Sequence, residues 1–407
     1  MKNRFSFSRP AAKAKPAVSF CFLVLLLGLA FSYAMFQGGF VSWFLFFSFL
    51  PFGFYSFLLL LFPMDQFTVS RSLDRNEINS GDALQIRVTV TRKFAFPLFF
   101  LVVEDLVPNS LNKRGSKQVL FPGFRRTMQY TYRIEKMPRG EHIFEAIRLK
   151  TGDALGLTEK ERWYDCRQII LVYPEYEEIV YRPLESRFEQ GGTASALQFQ
   201  KDTSLVAGVR EYQPGDRFAW IDWKATARTN DMKSKEFEIR QTNDIMIVLD
   251  RTPSAHFELM VKFAASAVRA ILRHGGQTGF FSSGEERSYY PIRGGEHQQQ
   301  ELFHHLAKVK SDSEVPLEDI LEGEAVFHHQ PASLIVVTSR LTQPFIQSAG
   351  LYLRKKGNLI VYLVKQAGEP SSAEELAIKA AASQRGMVVK TLYEPDFRIA
   401  FSEVKRA

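Results

Sequence analysis

From Ala17 to Met64 the sequence contains no charged residue, and the stretch is dominated by Phe, Leu, Val and Ala. A run this long is more than twice the ~20 residues that one helix needs to cross the hydrocarbon core of a bilayer. It suits two crossings joined by a very short turn, which Gln37-Gly38-Gly39 supplies. The expectation is one helix near Val18 to Phe36 and a second near Phe40 to Phe62, kinked around Pro51 and Gly53. Residues 1–16 hold Lys2, Arg4, Arg9, Lys13 and Lys15 and no acid, and the turn holds no cation. Cationic flanks stay in the cytoplasm. Two crossings of the cell membrane over residues 17–64 would therefore leave both termini cytoplasmic. A cleaved signal peptide is the alternative for the first helix, because the basic head, the apolar run and Ser32-Tyr33-Ala34 imitate one. The second helix alone would still deliver the rest of the chain to the cytoplasm.

With 407 residues there is room for about two soluble domains beyond the helices. Lys and Arg number 52 against 44 Asp and Glu, a net charge of +8. A basic balance suits nucleic acid or an anionic membrane surface, and the apolar helices favour the membrane. Cys21 lies inside the apolar run and Cys166 stands alone, so no intrachain disulfide framework is expected. That fits a soluble part kept in a reducing compartment.

Across residues 67–180 the hydrophobic period becomes two. Leu84, Ile86, Val88 and Val90 alternate with Gln85, Arg87 and Thr89, and Met128, Tyr130, Tyr132 and Ile134 alternate with Gln129, Thr131 and Arg133. Alternation of this kind marks strands with one buried face, and Asn79-Ser80-Gly81-Asp82 and Pro138-Arg139-Gly140 are turn signals between them. Several short strands at this spacing predict a small β-sandwich with a spacer or adaptor role. The apolar block Phe94 to Val103 has the alternative of touching the membrane or a partner.

Residues 189–243 begin with the linker Glu189-Gln190-Gly191-Gly192-Thr193-Ala194-Ser195. From Gly208 to Glu238 they then concentrate Arg210, Tyr212, Asp216, Trp220, Asp222, Trp223 and Arg228 around the turn Pro214-Gly215-Asp216. A solvated loop is poorer in large aromatics and a core strand is poorer in charge. The stretch thus presents charged groups from an apolar footing. Three readings stay open: an edge strand or loop clamped by ion pairs, a recognition surface built from Trp, Tyr and Arg, or paired carboxylates Asp216 and Asp222 in acid–base work.

After residue 244 strands alternate with helices. Strands are expected at Ile245–Leu249, Thr278–Ser282, Leu334–Thr338, Leu359–Val364 and Met387–Leu392. Helices are expected over Ser254–His274, Gln298–Val309, Gln343–Lys355 and Ala373–Gln384. This order predicts an α/β doubly wound parallel sheet over 244–407 with its ligand edge at the strands' C-terminal ends. No G-x-x-x-x-G-K-[ST] loop occurs, so nucleotide hydrolysis by the chain alone is not expected. His304-His305 and His328-His329 are adjacent pairs, which a helix points about 100° apart. No nucleic-acid module is recognisable, and no nucleic acid is expected as a partner.

Arg210, Tyr212, Pro214, Gly215, Asp216, Ile221, Asp222, Trp223, Ala227 and Arg228 resemble the signature of the bacterial family labelled domain of unknown function 58. Arg139-Gly140 and Gly152-Asp153-Ala154-Leu155-Gly156-Leu157 are similar to its upstream region, with Ala154 where proline is usual. The C-terminal element order and Asp250-Arg251-Thr252-Pro253-Ser254 look like a von Willebrand factor A domain, whose D-x-S-x-S loop binds a divalent cation. The resemblance implies Asp250, Thr252 and Ser254 as oxygen ligands for Mg²⁺. The usual later aspartate is replaced by Thr338-Ser339-Arg340, and a lost carboxylate beside a cation weakens a hard-ion site. Ser313 would stand for the loop threonine. In the competing reading Thr252 and Ser254 cap the following helix and Asp250 pairs with Arg228.

The resemblance also implies function. Family members are typically encoded beside MoxR-type AAA+ ATPases, and some neighbours are transglutaminase-like membrane proteins. The leading expectation is a membrane-anchored, non-enzymatic adaptor presenting a client or such an ATPase at the cytoplasmic face, and the transglutaminase-like neighbours point to a cell-envelope process. The alternatives are a hydrolase-like enzyme using Asp216 and Asp222, and binding of anionic lipid or nucleic acid by the basic aromatic signature.

Overall fold

A computed structural model describes residues 11–75, 77–111, 115–181, 206–213, 218–229, 231–237, 244–323, 333–356 and 359–401. The linker at 189–195, the turn carrying Pro214, Gly215 and Asp216, and the pair His328-His329 lie outside the described residues. The chain divides into two compact units: one holds the residues up to Glu175 together with Phe303–Val309, and the other holds Tyr176–Leu302 and the residues from Lys310 onward.

The first unit opens with α1 (Ala11–Gln37) and α2 (Phe40–Leu61). Gly38 and Gly39 take positive φ of 61° and 86°, a conformation that side chains with a Cβ resist, and this reverses the chain in two residues. Both helices are long and apolar enough to cross a membrane, and little of either is covered by protein. Phe31 packs edge-on against Trp43 and Phe46, which joins the two helices through aromatic contacts.

Among the described residues the strands that follow are β1 (Phe67–Leu73), β2 (Ile78–Asn79), β3 (Leu84–Arg92), β4 (Phe100–Asp105), β5 (Lys117–Leu120), β6 (Thr127–Ile134), β7 (Gly140–Gly152) and β8 (Glu159–Tyr173). They form a three-stranded sheet in the order β1-β3-β6 and a five-stranded sheet in the order β2-β8-β7-β4-β5. The alternation in the sequence becomes the pleat: Leu84, Ile86, Val88 and Val90 are fully buried, and they share one core with Leu101, Val103, Phe144, Ile147 and Leu149 of the other sheet. Inside this core Arg71 and Asp105 form an ion pair at 2.5 Å, both side chains essentially without solvent. Tyr132 donates to the same carboxylate at 2.8 Å and Arg71 donates to the Cys166 carbonyl at 2.7 Å, so the buried charges are paired and hydrogen-bonded. Burial raises the Cys166 thiol above its ordinary value, partly offset by Arg71.

The second unit contains a small hairpin module made of β9 (Val206–Glu211), α3 (Trp223–Thr229) and β10 (Lys233–Phe237). A larger α/β region follows. Its elements are β11 (Asp244–Leu249), α4 (Phe257–Arg273), β12 (Gln277–Ser283), β13 (Arg287–Arg293), α5 (Glu296–Lys308), α6 (Leu317–Gly323), β14 (Ser333–Thr338), α7 (Gln343–Lys356), β15 (Leu359–Lys365), α8 (Ala373–Gln384) and β16 (Val388–Tyr393). The sheet order is β13-β12-β11-β14-β15-β16. Five strands run parallel and β13 returns antiparallel at the edge, so the sheet is mixed where the sequence predicted a parallel one. β13 escapes a periodicity reading because Arg287-Ser288-Tyr289-Tyr290-Pro291-Ile292-Arg293 is amphipathic and half-exposed. β11 is buried from Ile245 to Leu249, as a central strand covered on both faces should be. Helix α4 starts at Phe257 rather than Ser254, because the residues before it are held in a loop described below.

Candidate functional site

Two places gather the residues singled out by the sequence. In the hairpin module, β9 and β10 pair antiparallel with Arg210 opposite Ser234 and Glu211 opposite Lys233. The connection between them folds back onto the hairpin. Ile221 bridges to Ser234 and is buried, and the Asp222 N–H donates to the Lys233 carbonyl at 2.9 Å. The Tyr212 N–H donates to the Met232 carbonyl at 2.9 Å, which carries the pairing one step into the connection.

Asp222 stands at the head of α3. Its Oδ1 accepts from the Lys224 and Ala225 N–H groups at 3.0 and 3.1 Å, which satisfies donors that a helix start leaves free. The Thr226 hydroxyl donates to the Asp222 carbonyl and accepts from the Lys233 N–H, tying α3 to β10. Asp222 is thus part of the scaffold of the signature. The aromatic and basic side chains face outward: Phe218 is 74% exposed and Trp223 65%, and Lys224 and Arg228 are exposed beside them. Arg210, Tyr212 and Trp220 are half-buried. Phe218 was not singled out by sequence reasoning; its place just before Trp220 in a short 3-10 turn is what brings it to the surface. Asp216 lies outside the described residues.

The second place is where β11 and β14 lie side by side. The chain leaves β11 toward β12 on one flank and returns as β14 on the other, so a crevice opens at their C-terminal ends. Asp250 follows β11 there and is buried. Its Oδ1 accepts from the Thr252 N–H at 2.9 Å and the Thr252 hydroxyl at 2.8 Å, and its Oδ2 accepts from the Thr338 hydroxyl at 2.7 Å. Ser339 donates to Ser254 Oγ at 2.8 Å, and that oxygen also accepts from the His256 N–H at 3.1 Å. These contacts replace both competing expectations. Thr252 is turned toward Asp250 instead of capping α4, and Asp250 is held by hydroxyls instead of by Arg228. Ser313 is buried next to the loop, but its hydroxyl donates to the Val315 carbonyl.

Arg251, next to Asp250, is a residue that sequence reasoning passed over. Its guanidinium is buried and donates to the Lys310 and Glu286 carbonyls at 3.0 Å each and to Asp312 at 2.6 Å. Gly284 lies so close that an added Cβ would overlap Arg251 and Asp312. No sequence period announces such a contact, because its partners come from two loops distant in sequence.

A divalent ion does not fit this donor set well. The only charged oxygens among the cluster residues belong to Asp250, and Thr252 and Thr338 already donate to both of them. A hard cation needs several anionic oxygens, and the described residues hold no group of three or more His, Cys, Asp or Glu suited to a metal.

Over residues 208–407 the chain matches the family model described as protein of unknown function DUF58. It is 39% identical over 364 residues to the uncharacterized protein YeaD of Bacillus subtilis (strain 168), covering 88% of this chain and 91% of that protein. Among solved structures it is similar to proximal thread matrix protein 1 of the mussel byssus, at 11% identity and a TM-score of 0.29, over 39% of this chain and 46% of that one. Spo0M, a sporulation control protein from Bacillus subtilis, is similar at 14% identity and a TM-score of 0.15, over 26% and 49%. Both alignments span less than half of the solved chain, and neither supports a statement about fold or function. The extended likeness to YeaD, joined to the signature held by β9, α3 and β10, shows that the chain belongs to the family of proteins of unknown function DUF58.

Proposed function

We propose that the chain is a membrane-anchored adaptor without catalytic activity of its own, which docks a MoxR-type AAA+ ATPase and a client complex at the cytoplasmic face, in a process of the cell envelope. The observation that carries this reading is the division of labour in the signature. Asp222 is occupied in capping α3, while Phe218, Trp223 and Arg228 stand exposed around it. Exposed aromatics beside arginine are the residue types that carry binding energy at interfaces, and a carboxylate bound to backbone N–H groups is poorly placed to move protons.

Within this reading the two-sheet domain is a small β-sandwich with a spacer or adaptor role, and the six-stranded region is a von Willebrand factor A-like domain. The order β13-β12-β11-β14-β15-β16, with a loop carrying Asp250, Thr252 and Ser254 at its crevice, supports the latter. In place of Mg²⁺, hydroxyl groups from two strand ends satisfy Asp250, so docking on this face proceeds without a bridging ion.

Affinity capture of the full-length protein from detergent-solubilised membranes tests the proposal. Wild type is expected to retain a AAA+ ATPase, and Trp223→Ala and Arg210→Ala to lose it with circular dichroism unchanged. Retention by both variants returns the signature to a scaffold role. Capture that collapses steeply with salt indicates binding of anionic lipid or nucleic acid by the basic face instead.

A further inference from the structure

Helix α2 does not end where the β-domain begins; the two overlap along the helix. Tyr55 donates to the Pro97 carbonyl at 3.0 Å, packs edge-on against Phe99 with centroids 4.5 Å apart, and stacks on Phe96 at 5.9 Å. Ser56, buried, donates to Asp153 Oδ2 at 2.6 Å. Asp153 is also buried and accepts from the Leu157 and Thr158 N–H groups at 2.9 and 3.0 Å, so its charge is satisfied within its own loop. Lys160 donates to the Leu60 carbonyl and, at 2.7 Å, to the Phe62 carbonyl, where the helix leaves acceptors open. Burial lowers the Lys160 ammonium below its ordinary value.

Tyr55 and Ser56 lie five to six residues before Leu61, the end of α2, which at ~1.5 Å per residue is roughly 8–9 Å back along its axis. Loops that touch them from the β-domain therefore reach below the end of the apolar helix. What those loops expose fits that depth. Phe94, Phe99, Phe121 and Phe124 are 66%, 49%, 77% and 69% exposed, far more aromatic surface than water favours on short loops. Lys93, Arg125 and Arg126 stand exposed among them. Buried Arg92 locks the two loops together by donating to the Phe96, Gly123 and Arg125 carbonyls at 2.5, 2.7 and 2.8 Å.

We infer that the loops at 93–99 and 121–126 form an apron that inserts into the bilayer interface around α2, with the phenylalanines at the level of the acyl boundary and the cations on anionic headgroups. Aromatic side chains and cations occupy these two levels of an interface. The apron fixes the depth and tilt of the β-domain, which two bare helices would not do. The inference rests on α1 and α2 crossing the membrane and goes beyond the adaptor reading, since it assigns a lipid-binding surface to the β-domain.

The test uses full-length protein in vesicles of phosphatidylcholine and phosphatidylglycerol, in a Cys21→Ser, Cys166→Ala background. Single cysteines replacing Phe121, Phe124, Leu25 and Gln85 carry an environment-sensitive fluorophore. Gln85 is the exposed control at the far end of β3, opposite Arg133 and away from Arg92. Quenching by lipids brominated near the headgroup is expected to be several-fold stronger at 121 and 124 than at 85, with iodide quenching in the reverse order. Iodide quenching at 121 and 124 equal to that at 85, with Leu25 still lipid-quenched, overturns the apron and spares the two crossings. Loss of lipid quenching at Leu25 itself overturns the crossings and the apron together. Protection of 121 and 124 from both quenchers assigns the surface to protein and also overturns the inference.

Discussion

Asp222 and Asp250 are both aspartates that a sequence offers for chemistry, and in the fold each holds a loop. Asparagine caps a helix about as well as aspartate, so Asp222→Asn is expected to leave ATPase capture intact; loss of capture in that variant, with the fold unchanged, argues for a role of the charge itself. Removing the donor from Asp250 by Thr338→Val leaves a buried carboxylate oxygen short of a partner, at a cost of about 1–3 kcal/mol, to be read by denaturant unfolding. Because the hydroxyls already close on Asp250, millimolar Mg²⁺ is expected to leave the thermal midpoint of wild type where EDTA leaves it. An ion bound only to the native state would raise that midpoint. At Cys166, burial holds the thiol above its ordinary value. Native protein should alkylate there more slowly than urea-unfolded protein at the same pH, the thiolate being the reactive form.

Elements with a strong period were legible in the sequence. β3 and β6 alternate cleanly, α8 runs from Ala373 to Gln384 as read, and the turn at Gly38 and Gly39 falls where the apolar run breaks. Elements that depend on tertiary partners were not. β13 exists as an edge strand because it pairs with β12, and α6 is a short segment whose Leu317, Ile320 and Leu321 share a core cluster with residues as distant in sequence as Met246 and Leu363. The site divides in the same way: Trp223 and Arg228 are visible as residue types, whereas the Arg251 contacts with loops around Glu286 and Lys310 are not. The β-domain core shows how much one hidden pair matters. Arg71→Met leaves the buried Asp105 without its cation, and a loss of about 3–5 kcal/mol is expected. Recovery of stability in the double variant Arg71→Met, Asp105→Leu, measured by the same unfolding, checks that the pair and not the side-chain volume is responsible.

For the molecule as a whole, the proposed docking requires the two apolar helices to return the chain to the cytoplasm. An odd number of crossings, or cleavage after the first helix with the remainder exported, would put β9, α3 and β10 beyond reach of any ATPase in the cytoplasm. The distribution of charge is the one that a cytoplasmic N-terminal flank calls for: cations precede α1, and the turn between the helices has none. Fusing either green fluorescent protein or alkaline phosphatase after Ala407 measures this directly in intact cells. The account predicts a fluorescent first fusion and an inactive phosphatase; an active phosphatase with a dark fluorescent partner would place the signature outside and contradict it.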